Sequence, residues 1–413
     1  MQSVDEKMRS KKINVLIISQ YFPPDVSGGS TRAYNYAKCL ADQNDYQVTV
    51  ITAPPHQHSA VPKEYRGRLV VKEKMFGMNL FRVWVPSILH SSVRNSTVLM
   101  ASFLFSSLFP LFSVKPDVII AFEPNLFSII PSYFYSKLRG GLVINVVDDL
   151  WPEALYERDL IKSKVIKSLL YKLARFSYTY SKFIIPLNEE VKEIIYNSYK
   201  IENNKIEAIS HGIDTKFFTY QERKRQEYFI VMYSGSLVES YDFDIIINSA
   251  RRLKGKKIKF VIRGKGRLLQ YIQEQKNKYQ IDNLEINTDF VPTEKVSDEI
   301  SKSDVLLAPM GQGFSLNLSM PTKILEYQAV GRPIICSSDG AVGNYVKETR
   351  SGIKVDIGDT DAFIEAICRL ESDPELCKTL GRNGRKFVEE NLTFENIGIR
   401  LTKVIRLVLS TNT

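Results

Sequence analysis

Short apolar runs alternate with helix-length stretches along almost the whole chain, and this alternation constrains the fold more than any other feature. Apolar runs bounded by polar turns are typical of parallel strands that are buried on both faces. Strand–helix alternation therefore predicts a doubly wound α/β fold with parallel sheets. The predicted strands of the first half are INVLIIS (13–19), YQVTVIT (46–52), LFRVWVP (80–86), PDVIIAFE (116–123), LVINVVD (142–148) and FIIPLN (183–188).

A polar stretch, TYQERKRQEY, interrupts the pattern at residues 219–228, and the alternation then restarts. A chain of 413 residues is long enough for two such domains. The second set of predicted strands is FIVMYSG (229–235), IKFVIRG (258–264), LEINTDF (284–290), DVLLAPM (304–310), RPIICSS (332–338) and SGIKVDI (351–357). We predict domains at 1–218 (with 1–11 as a tail) and 229–393, a linker at 219–228, and a helix at 394–413 that crosses back to the first domain.

The net charge of +10 favours a partner that carries phosphates or an anionic membrane surface. The basic residues are spread along the chain and no nucleic-acid motif is present, so nucleic acid is not expected as a partner. The four cysteines form no CxxC pair and read as buried thiols of a reducing compartment. No apolar leader precedes the first predicted strand, and we expect a cytoplasmic protein.

One uncharged segment, residues 95–114 (NSTVLMASFLFSSLFPLFSV), approaches the roughly 20 apolar residues that span a bilayer. Five serines and Pro110 dilute it, and a predicted core strand follows directly. Two interpretations stay open: a core helix that is buried or partly exposed, and a surface that dips into a membrane.

Ligands of open α/β sheets bind beyond the carboxyl ends of the strands, so chemistry is expected there. The pair Gly28 and Gly29 follows the first strand and precedes a helix capped by Ser30 or Thr31. Glycines let the backbone approach a ligand closely, and a helix amino terminus favours an anion. The pair is not a GxGxxG, so no dinucleotide site is indicated, and a plain turn is the alternative.

Two adjacent carboxylates, Asp148 and Asp149, end the strand LVINVVD. They can orient sugar hydroxyls, whereas neighbours in sequence point in different directions and make a poor acid–base pair. Capping of the next helix is the structural alternative for either residue.

A third pair of segments, MYSGSLVES and FVIRGKGRLL, consists of strands that end in glycine turns at Gly235 and Gly264. Arg263, with Lys265 and Arg267, surrounds the second turn and can form an anion-binding nest, in which Arg263 is the preferred ligand. Solvated surface charge is the alternative interpretation.

The segment APMGQGFSLNLSMPTKILEYQAVGRPIICSS carries the strongest signal. Its loop contains Gly311 and Gly313, and the helix that follows holds Lys323 and Glu326 one turn apart on one face. Backbone N–H groups and Lys323 can hold a pyrophosphate while Glu326 accepts ribose hydroxyls. An ordinary intrahelical ion pair between the two side chains is the alternative. A metal role for the DFD sequence at 242–244 is rejected, because three-residue patterns recur by chance.

Taken in order, YFPPDVSGG, ISHGIDTKFF, IRGKG and MPTKILEYQAVGRPII resemble glycosyltransferase family 4 over nearly the whole chain. DLWPEA and SMPTK are most similar to its members that build surface polysaccharides or glycans. The resemblance implies the GT-B fold, in which two Rossmann-like domains face a cleft. It also implies retaining transfer from a UDP- or GDP-sugar without a metal ion or other cofactor, the acceptor docking on the first domain.

By the same resemblance, Gly29 approaches the donor phosphates, Lys323 lies near the pyrophosphate and Glu326 binds the ribose. Asp148 stands where many members place a sugar-contacting histidine. Catalytic roles are accordingly expected for Asp148, Asp149 and Glu326.

Three departures from the family pattern fall on the donor site. Leu318 stands where many members carry a first glutamate. Ser236 and Tyr241 stand where many carry an arginine and a lysine, and Asp148 replaces the histidine. The favoured activity is transfer of a hexose or N-acetylhexosamine to a lipid-linked or polysaccharide acceptor at the cytoplasmic membrane face. An epimerase or phosphorylase on the same fold, and an inactive nucleotide-sugar-binding scaffold, are the alternatives.

Overall fold

Two sheets, one in each of two units, organise this chain. The computed structural model describes residues 12–25, 28–57, 60–89, 93–122, 128–157, 161–223, 226–289 and 291–411. One unit comprises Met1–Gly212 together with Phe394–Thr413, and the other comprises Ile213–Thr393.

The sheet of the first unit has seven strands in the order β3-β4-β2-β1-β5-β6-β7, parallel except for the antiparallel pair β3–β4. Its strands are β1 Ile13–Ile18, β2 Tyr46–Thr52, β3 Val70–Met75, β4 Met78–Val83, β5 Val118–Phe122, β6 Leu142–Val147 and β7 Phe183–Pro186. Its first helices are α1 Gly28–Ala41, α2 Val93–Ser106, α3 Ile129–Arg139, α4 Glu153–Glu157, α5 Lys164–Tyr180 and α6 Glu189–Tyr199.

The second unit holds a parallel sheet of six strands in the order β10-β9-β8-β11-β12-β13. Its strands are β8 Phe229–Ser234, β9 Ile258–Arg263, β10 Leu284–Asn287, β11 Val305–Pro309, β12 Ile334–Ser337 and β13 Gly352–Val355. Its helices are α7 Phe243–Arg252, α8 Leu269–Lys278, α9 Thr293–Ile300, α10 Phe314–Leu318, α11 Thr322–Ala329, α12 Ala341–Glu348, α13 Thr360–Ser372 and α14 Pro374–Asn391. The predicted pair of doubly wound α/β domains is therefore confirmed.

One strand, β3, escaped the sequence analysis. It lies at the edge of its sheet, and Lys72, Glu73 and Lys74 occupy its centre. Edge strands carry charged side chains because these discourage pairing with other chains. The same charges removed the apolar signal on which strand prediction depends.

The chain's last helix, α15 (Phe394–Ser410), belongs to the first unit and packs on α1. Gly398 permits the close approach, because a Cβ there would lie 2.9 Å from Nε2 of Gln43. An ion pair of 2.9 Å between Arg400 and Glu207 adds a polar contact. The side chains that α15 buries include Ile397, Leu401, Val404, Ile405 and Val408.

The first unit ends at Gly212, before the predicted boundary at 218, and part of the predicted linker packs within the second unit. Arg223 forms an ion pair of 2.9 Å with Asp304. Tyr220 lies against Gly331, where a Cβ would approach its ring to 2.3 Å. Arg223, which the sequence places in a solvated linker, is therefore held by an ion pair to a half-buried carboxylate.

The uncharged segment 95–114 is not one helix, since α2 ends at Ser106 and turns follow it. Leu99 and Phe103 are buried in the first unit's core, whereas Phe105 and Phe112 are exposed. None of the helices in the described residues has the length and hydrophobicity that a membrane span requires.

A buried guanidinium joins the carboxyl ends of β6 and β7. The side chain of Arg32, on α1, has no exposed surface and forms an ion pair with Asp148. It also bonds Tyr36, whose hydroxyl donates to the carbonyl of Ile209 at 2.7 Å. The backbone carbonyls that accept from Arg32 are those of Val147, Ile185, Pro186 and Ile209.

We expect the substitution Arg32→Met to destabilise the protein by about 3–5 kcal/mol, because it leaves the buried carboxylate of Asp148 without a counter-charge. The double variant Arg32→Met/Asp148→Asn removes both charges and should recover part of this loss. The matched control is Arg267→Met, which removes a surface pair of 2.7 Å and should cost less than about 1 kcal/mol. Denaturant unfolding measures the free energy of unfolding of all three variants. A double variant no more stable than Arg32→Met would contradict the account.

Candidate functional site

Asp148 lies directly after β6, at the carboxyl edge of the first sheet, and only 8% of its surface is exposed. Arg32 bonds its Oδ1 atom, while Oδ2 has no hydrogen-bond partner among the described residues. Burial raises the pKa of Asp148, although Arg32 opposes the shift. The two predicted carboxylates thus occupy different environments: Asp149 is exposed, whereas Asp148 is buried with one oxygen unpaired among the described residues.

A buried histidine close to Arg32 had no role assigned from the sequence. His211 is 3% exposed, and its Nδ1 has no partner in the described part of the chain. Burial, together with the charge of Arg32, lowers the pKa of His211 to about 3. The imidazole is therefore neutral near pH 7 and can donate or accept one hydrogen bond at each nitrogen. His211 lies in the segment ISHGIDTKFF, which carries part of the family resemblance, and this segment was the sequence signal that could have identified the histidine.

Helix α1 begins at Gly28, before the predicted caps Ser30 and Thr31, so Gly29 and Ser30 lie inside its first turn. The hydroxyl of Ser30 donates to the carbonyl of Asp25 at 2.6 Å and thus bonds the preceding loop. The first turn contains no acidic side chain. This helix terminus remains compatible with the anion role predicted for the glycine pair.

In the second unit, the ammonium group of Lys323 lies at the carboxyl end of β8. It donates to the hydroxyl of Tyr233 at 2.7 Å. It also lies 4.2 Å from the ring centroid of Tyr233 and 3.9 Å from that of Tyr241, within the range of cation–π contacts. A Cβ at Gly235 would approach this ammonium to 2.3 Å, so the glycine makes room for it.

Two hydrogen bonds fix α11 to the end of β8. The hydroxyl of Tyr327 donates to the carbonyl of Ser234 at 2.9 Å and accepts from its N–H at 3.0 Å. Because Tyr327 directly follows Glu326 and lies one turn from Lys323, these bonds fix both charged residues relative to β8. The sheet edge and the start of α11 therefore form one rigid arrangement.

Lys323 and Glu326 do not form the intrahelical ion pair that was the alternative interpretation, since the ammonium bonds Tyr233 instead. Burial lowers the pKa of Lys323 to about 7 against the opposing effect of Glu326. Burial also raises the pKa of Glu326 to about 7, and Lys323 opposes that shift. Both groups therefore change charge near neutral pH and respond to a charged ligand.

The predicted nest around Gly264 is arranged differently from the expectation. Arg263 pairs with Glu299 at 2.8 Å, although its Nη1 is buried without a partner in the described chain. Arg267 pairs with Glu239 at the surface. Gly264 has φ of +150°, and a Cβ there would lie 1.8 Å from the carbonyl oxygen of Gly235. The two glycine turns therefore pack backbone against backbone, and an anion role for Arg263 stays a prediction.

The loop after β11 lies beside the loop after β8. The N–H of Gly311 donates to the carbonyl of Ser240 at 2.9 Å, and an isolated bridge pairs Met310 with Tyr241. Gly313, at φ of +145°, precedes α10. The structure thus brings together the segments of Gly235, Gly311 and Lys323, which the sequence analysis had predicted separately.

The DFD sequence has structural roles in the same unit. The carboxylate of Asp242 caps α7 by accepting from the N–H of Ile245 at 3.2 Å. That of Asp244 accepts from the hydroxyl of Tyr271 at 2.6 Å.

Two family models divide the chain between them. One, described as Glycosyltransferase Family 4, matches residues 26–217, and another, described as Glycosyl transferases group 1, matches residues 214–387. The capsular polysaccharide biosynthesis glycosyltransferase CapM of Staphylococcus aureus is 29% identical over 247 residues, which are 55% of this chain and 62% of CapM.

Two further proteins bear on the activity and the fold. A UDP-Gal:alpha-D-GlcNAc-diphosphoundecaprenol alpha-1,3-galactosyltransferase of Escherichia coli is 27% identical over 260 residues, which are 59% of this chain and 64% of that enzyme. The solved sucrose-phosphate synthase of Thermosynechococcus elongatus superposes with a TM-score of 0.77 at 15% identity, covering 97% of this chain and 100% of that one. This chain is therefore a glycosyltransferase of the GT-B fold.

Proposed function

We propose that this glycosyltransferase moves a sugar from a nucleotide sugar to a lipid-linked or polysaccharide acceptor, with retained configuration and without a metal ion. The observation that carries the donor assignment is the ammonium group of Lys323, held at Gly235 with Glu326 one turn further along α11. A cation and a carboxylate at this spacing match a diphosphate and a ribose.

Lys323 also compensates for a departure from the family pattern. Tyr241 stands where many members carry a lysine, and the ammonium of Lys323 lies 3.9 Å from the centroid of its ring. The positive charge is thus kept near that position but is supplied by α11 rather than by the loop after β8. This supports a working donor site against the inactive-scaffold alternative.

The reaction needs a stabilised leaving group more than a strong base. The bond between the anomeric carbon and the phosphate oxygen breaks, the acceptor oxygen bonds the same face of that carbon, and the acceptor proton passes to a donor phosphate oxygen. Lys323 and the amino terminus of α11 would stabilise the negative charge that develops on the diphosphate. Positioning of the two substrates supplies much of the remaining acceleration.

The acceptor is assigned to the first unit by the family resemblance. Asp148 also lies in the first unit, but the same resemblance places it at the donor sugar. Its buried Oδ2 has no partner among the described residues, so a hydroxyl of the transferred sugar that reaches it would donate a hydrogen bond to it. The Escherichia coli relative, by its name, uses UDP-Gal and a diphosphoundecaprenol-linked acceptor. A UDP-sugar and a lipid-linked glycan are therefore the first substrates to test, with GDP-sugars as the second donor class.

A calorimetric panel of UDP, GDP, ADP and their sugars tests the donor site. We expect selective binding of one nucleotide and at least a tenfold loss with Glu326→Ala, because a hydrogen bond to a charged group contributes roughly 1.5–3 kcal/mol. The control variant, Glu348→Ala, removes an exposed carboxylate from α12 and should bind normally. If no nucleotide binds, or Glu326→Ala binds as well as the unaltered protein, the donor site is wrongly assigned.

The affinity for an intact nucleotide sugar should peak near neutral pH. A diphosphate needs protonated Lys323, so affinity is lost as pH rises above its pKa of about 7. Ribose hydroxyls need ionised Glu326, so affinity is lost as pH falls below its pKa of about 7. We measure nucleotide-sugar affinity between about pH 6 and pH 8.5. Lys323→Met should abolish the decrease in affinity on the alkaline side (the alkaline limb), and Glu326→Gln should abolish the decrease on the acid side (the acid limb). A limb that survives its own substitution contradicts this assignment.

Membrane contact is proposed for exposed apolar side chains on the first unit, those of Phe105, Phe109, Phe112, Phe134 and Leu138. Phe112 is 78% exposed and Phe105 is 67% exposed. Arg139 bonds the carbonyls of Phe112 and Val114, and Lys137 is exposed on the same helix, α3. Exposed aromatic side chains with basic neighbours suit the interface of an anionic bilayer.

Sedimentation with vesicles that contain phosphatidylglycerol tests this surface. We expect the triple variant Phe105→Ser/Phe109→Ser/Phe112→Ser to bind at least about tenfold more weakly, since each phenyl ring contributes roughly 1.5–3 kcal/mol when buried. The control triple Phe76→Ser/Phe217→Ser/Ile399→Ser removes other exposed apolar side chains and should sediment normally. Protein that stays in solution at low salt, or equal effects of both triples, would contradict the proposed contact.

A further inference from the structure

A groove of about 580 Å³ opens on one face of the first sheet, at the amino ends of its strands. This volume falls within the range of small-ligand sites, roughly 300–1,000 Å³. The β3–β4 hairpin forms one wall and residues 113–117 form the other. The groove lies at the edge opposite to Asp148, because Asn14, Gln47 and Asn79 are each the second residue of their strands.

Polar side chains of three adjacent strands line the groove, beside the apolar residues Leu16 and Phe81. In the parallel registers Asn14 is paired with Gln47, and Thr49 is paired with Asn79. Residues two apart share a face of a strand, so Gln47 and Thr49 lie side by side. Gln47 is exposed, and the other three side chains are half-buried.

This polarity is unusual, because interior strands of doubly wound sheets are normally apolar on both faces. Among the described residues, the side chains of Gln47, Thr49 and Asn79 have no hydrogen-bond partner. Amide and hydroxyl groups in this position can both donate to and accept from a hydroxylated ligand.

The charge of the groove is positive. Lys72, Lys74 and Lys115 are exposed and have no acidic partner in the described part of the chain. The nearby acids are already engaged: Glu73 accepts from Arg82 at 2.8 Å. Asp117 accepts from the backbone N–H of Asn14 at 2.7 Å and from its side-chain amide at 3.1 Å. Because both donors to Asp117 are neutral, its carboxylate keeps its charge, but the three ammonium groups outnumber it in the groove.

We propose that this groove binds an acidic oligosaccharide. The amide and hydroxyl side chains recognise sugar hydroxyls, and the lysines recognise carboxylate or phosphate groups on the same chain. A neutral saccharide lacks the second set of contacts, and an inorganic anion lacks the first. We infer that the bound segment is part of the glycan that the enzyme extends, and this inference rests on the proposed function. The lining reaches Leu16, Thr49 and Phe81, which stand two or three residues before the carboxyl ends of their strands, so about 7–10 Å of strand separates the groove from that edge. The groove therefore holds a part of the glycan other than its reacting end.

Calorimetry with a short oligogalacturonate, a neutral maltooligosaccharide of equal length and inorganic phosphate tests the groove. We expect the oligogalacturonate to bind, the other two to bind at least tenfold more weakly, and Lys72→Gln/Lys74→Gln/Lys115→Gln to lose at least tenfold in affinity. The control Lys216→Gln/Lys347→Gln/Lys403→Gln makes the same change in net charge at lysines elsewhere and should bind normally. A second variant, Gln47→Ala/Thr49→Ala/Asn79→Ala, should lose oligogalacturonate affinity with all three lysines intact.

Equal affinity for the neutral saccharide or for phosphate would overturn the proposal, as would unchanged binding by the lysine variant. Nucleotide binding distinguishes this failure from failure of the proposed function. The lysine variant should bind the nucleotide sugar normally, whereas Glu326→Ala should lose the nucleotide and keep the oligogalacturonate.

Discussion

The first unit depends on one buried cation. Arg32 reaches from α1 to the ends of β6 and β7, and its guanidinium bonds backbone carbonyls on both strands as well as Asp148. Taking this charge out of water is costly, and only a complete set of acceptors offsets the cost. The position of Asp148 is therefore a consequence of the network, because the carboxylate cannot turn away without leaving Arg32 uncompensated. A residue that is expected to contact sugar is thus held by a contact that also holds the sheet edge.

In the second unit, the cation Lys323 has no anionic partner among the described residues, in contrast to Arg32. Lys323 has a hydroxyl and two aromatic rings as partners, and none of these neutralises its charge. Burial without a counter-anion lowers the pKa of Lys323, so the structure holds a group that is stabilised when an anion arrives. The difference follows from the partners: Arg32 is satisfied by its own protein, whereas Lys323 is satisfied only in part. Unsatisfied charge of this kind is typical of sites that bind rather than of sites that stabilise.

The sequence predicted the fold well because apolar periodicity is a local signal. Every predicted strand is present. Among the strands of the described residues, β3 alone was missed, because Lys72, Glu73 and Lys74 conceal its pattern. The rule that ligands lie at carboxyl ends also directed attention to Asp148 and Lys323. That rule cannot find partners that are remote along the chain, and for this reason Arg32, 116 residues from Asp148, was missed. The ion pair between Arg263 and Glu299 could not be predicted for the same reason, because the sequence around an arginine does not show whether a remote carboxylate pairs with it.

Glycine positions show how the same residue type serves two purposes in one site. Gly235 leaves room for an ammonium group, and its backbone carbonyl is in turn the atom that excludes a side chain at Gly264. The first glycine is required by a charged group that faces a ligand, and the second by the packing of the neighbouring turn. A sequence motif contains both without distinction. The distinction is chemical: a side chain at Gly235 would displace Lys323, whereas one at Gly264 would push apart the ends of β8 and β9. Departures from the family motif should therefore be judged by the charge that they remove, and here α11 supplies the cation that Tyr241 does not.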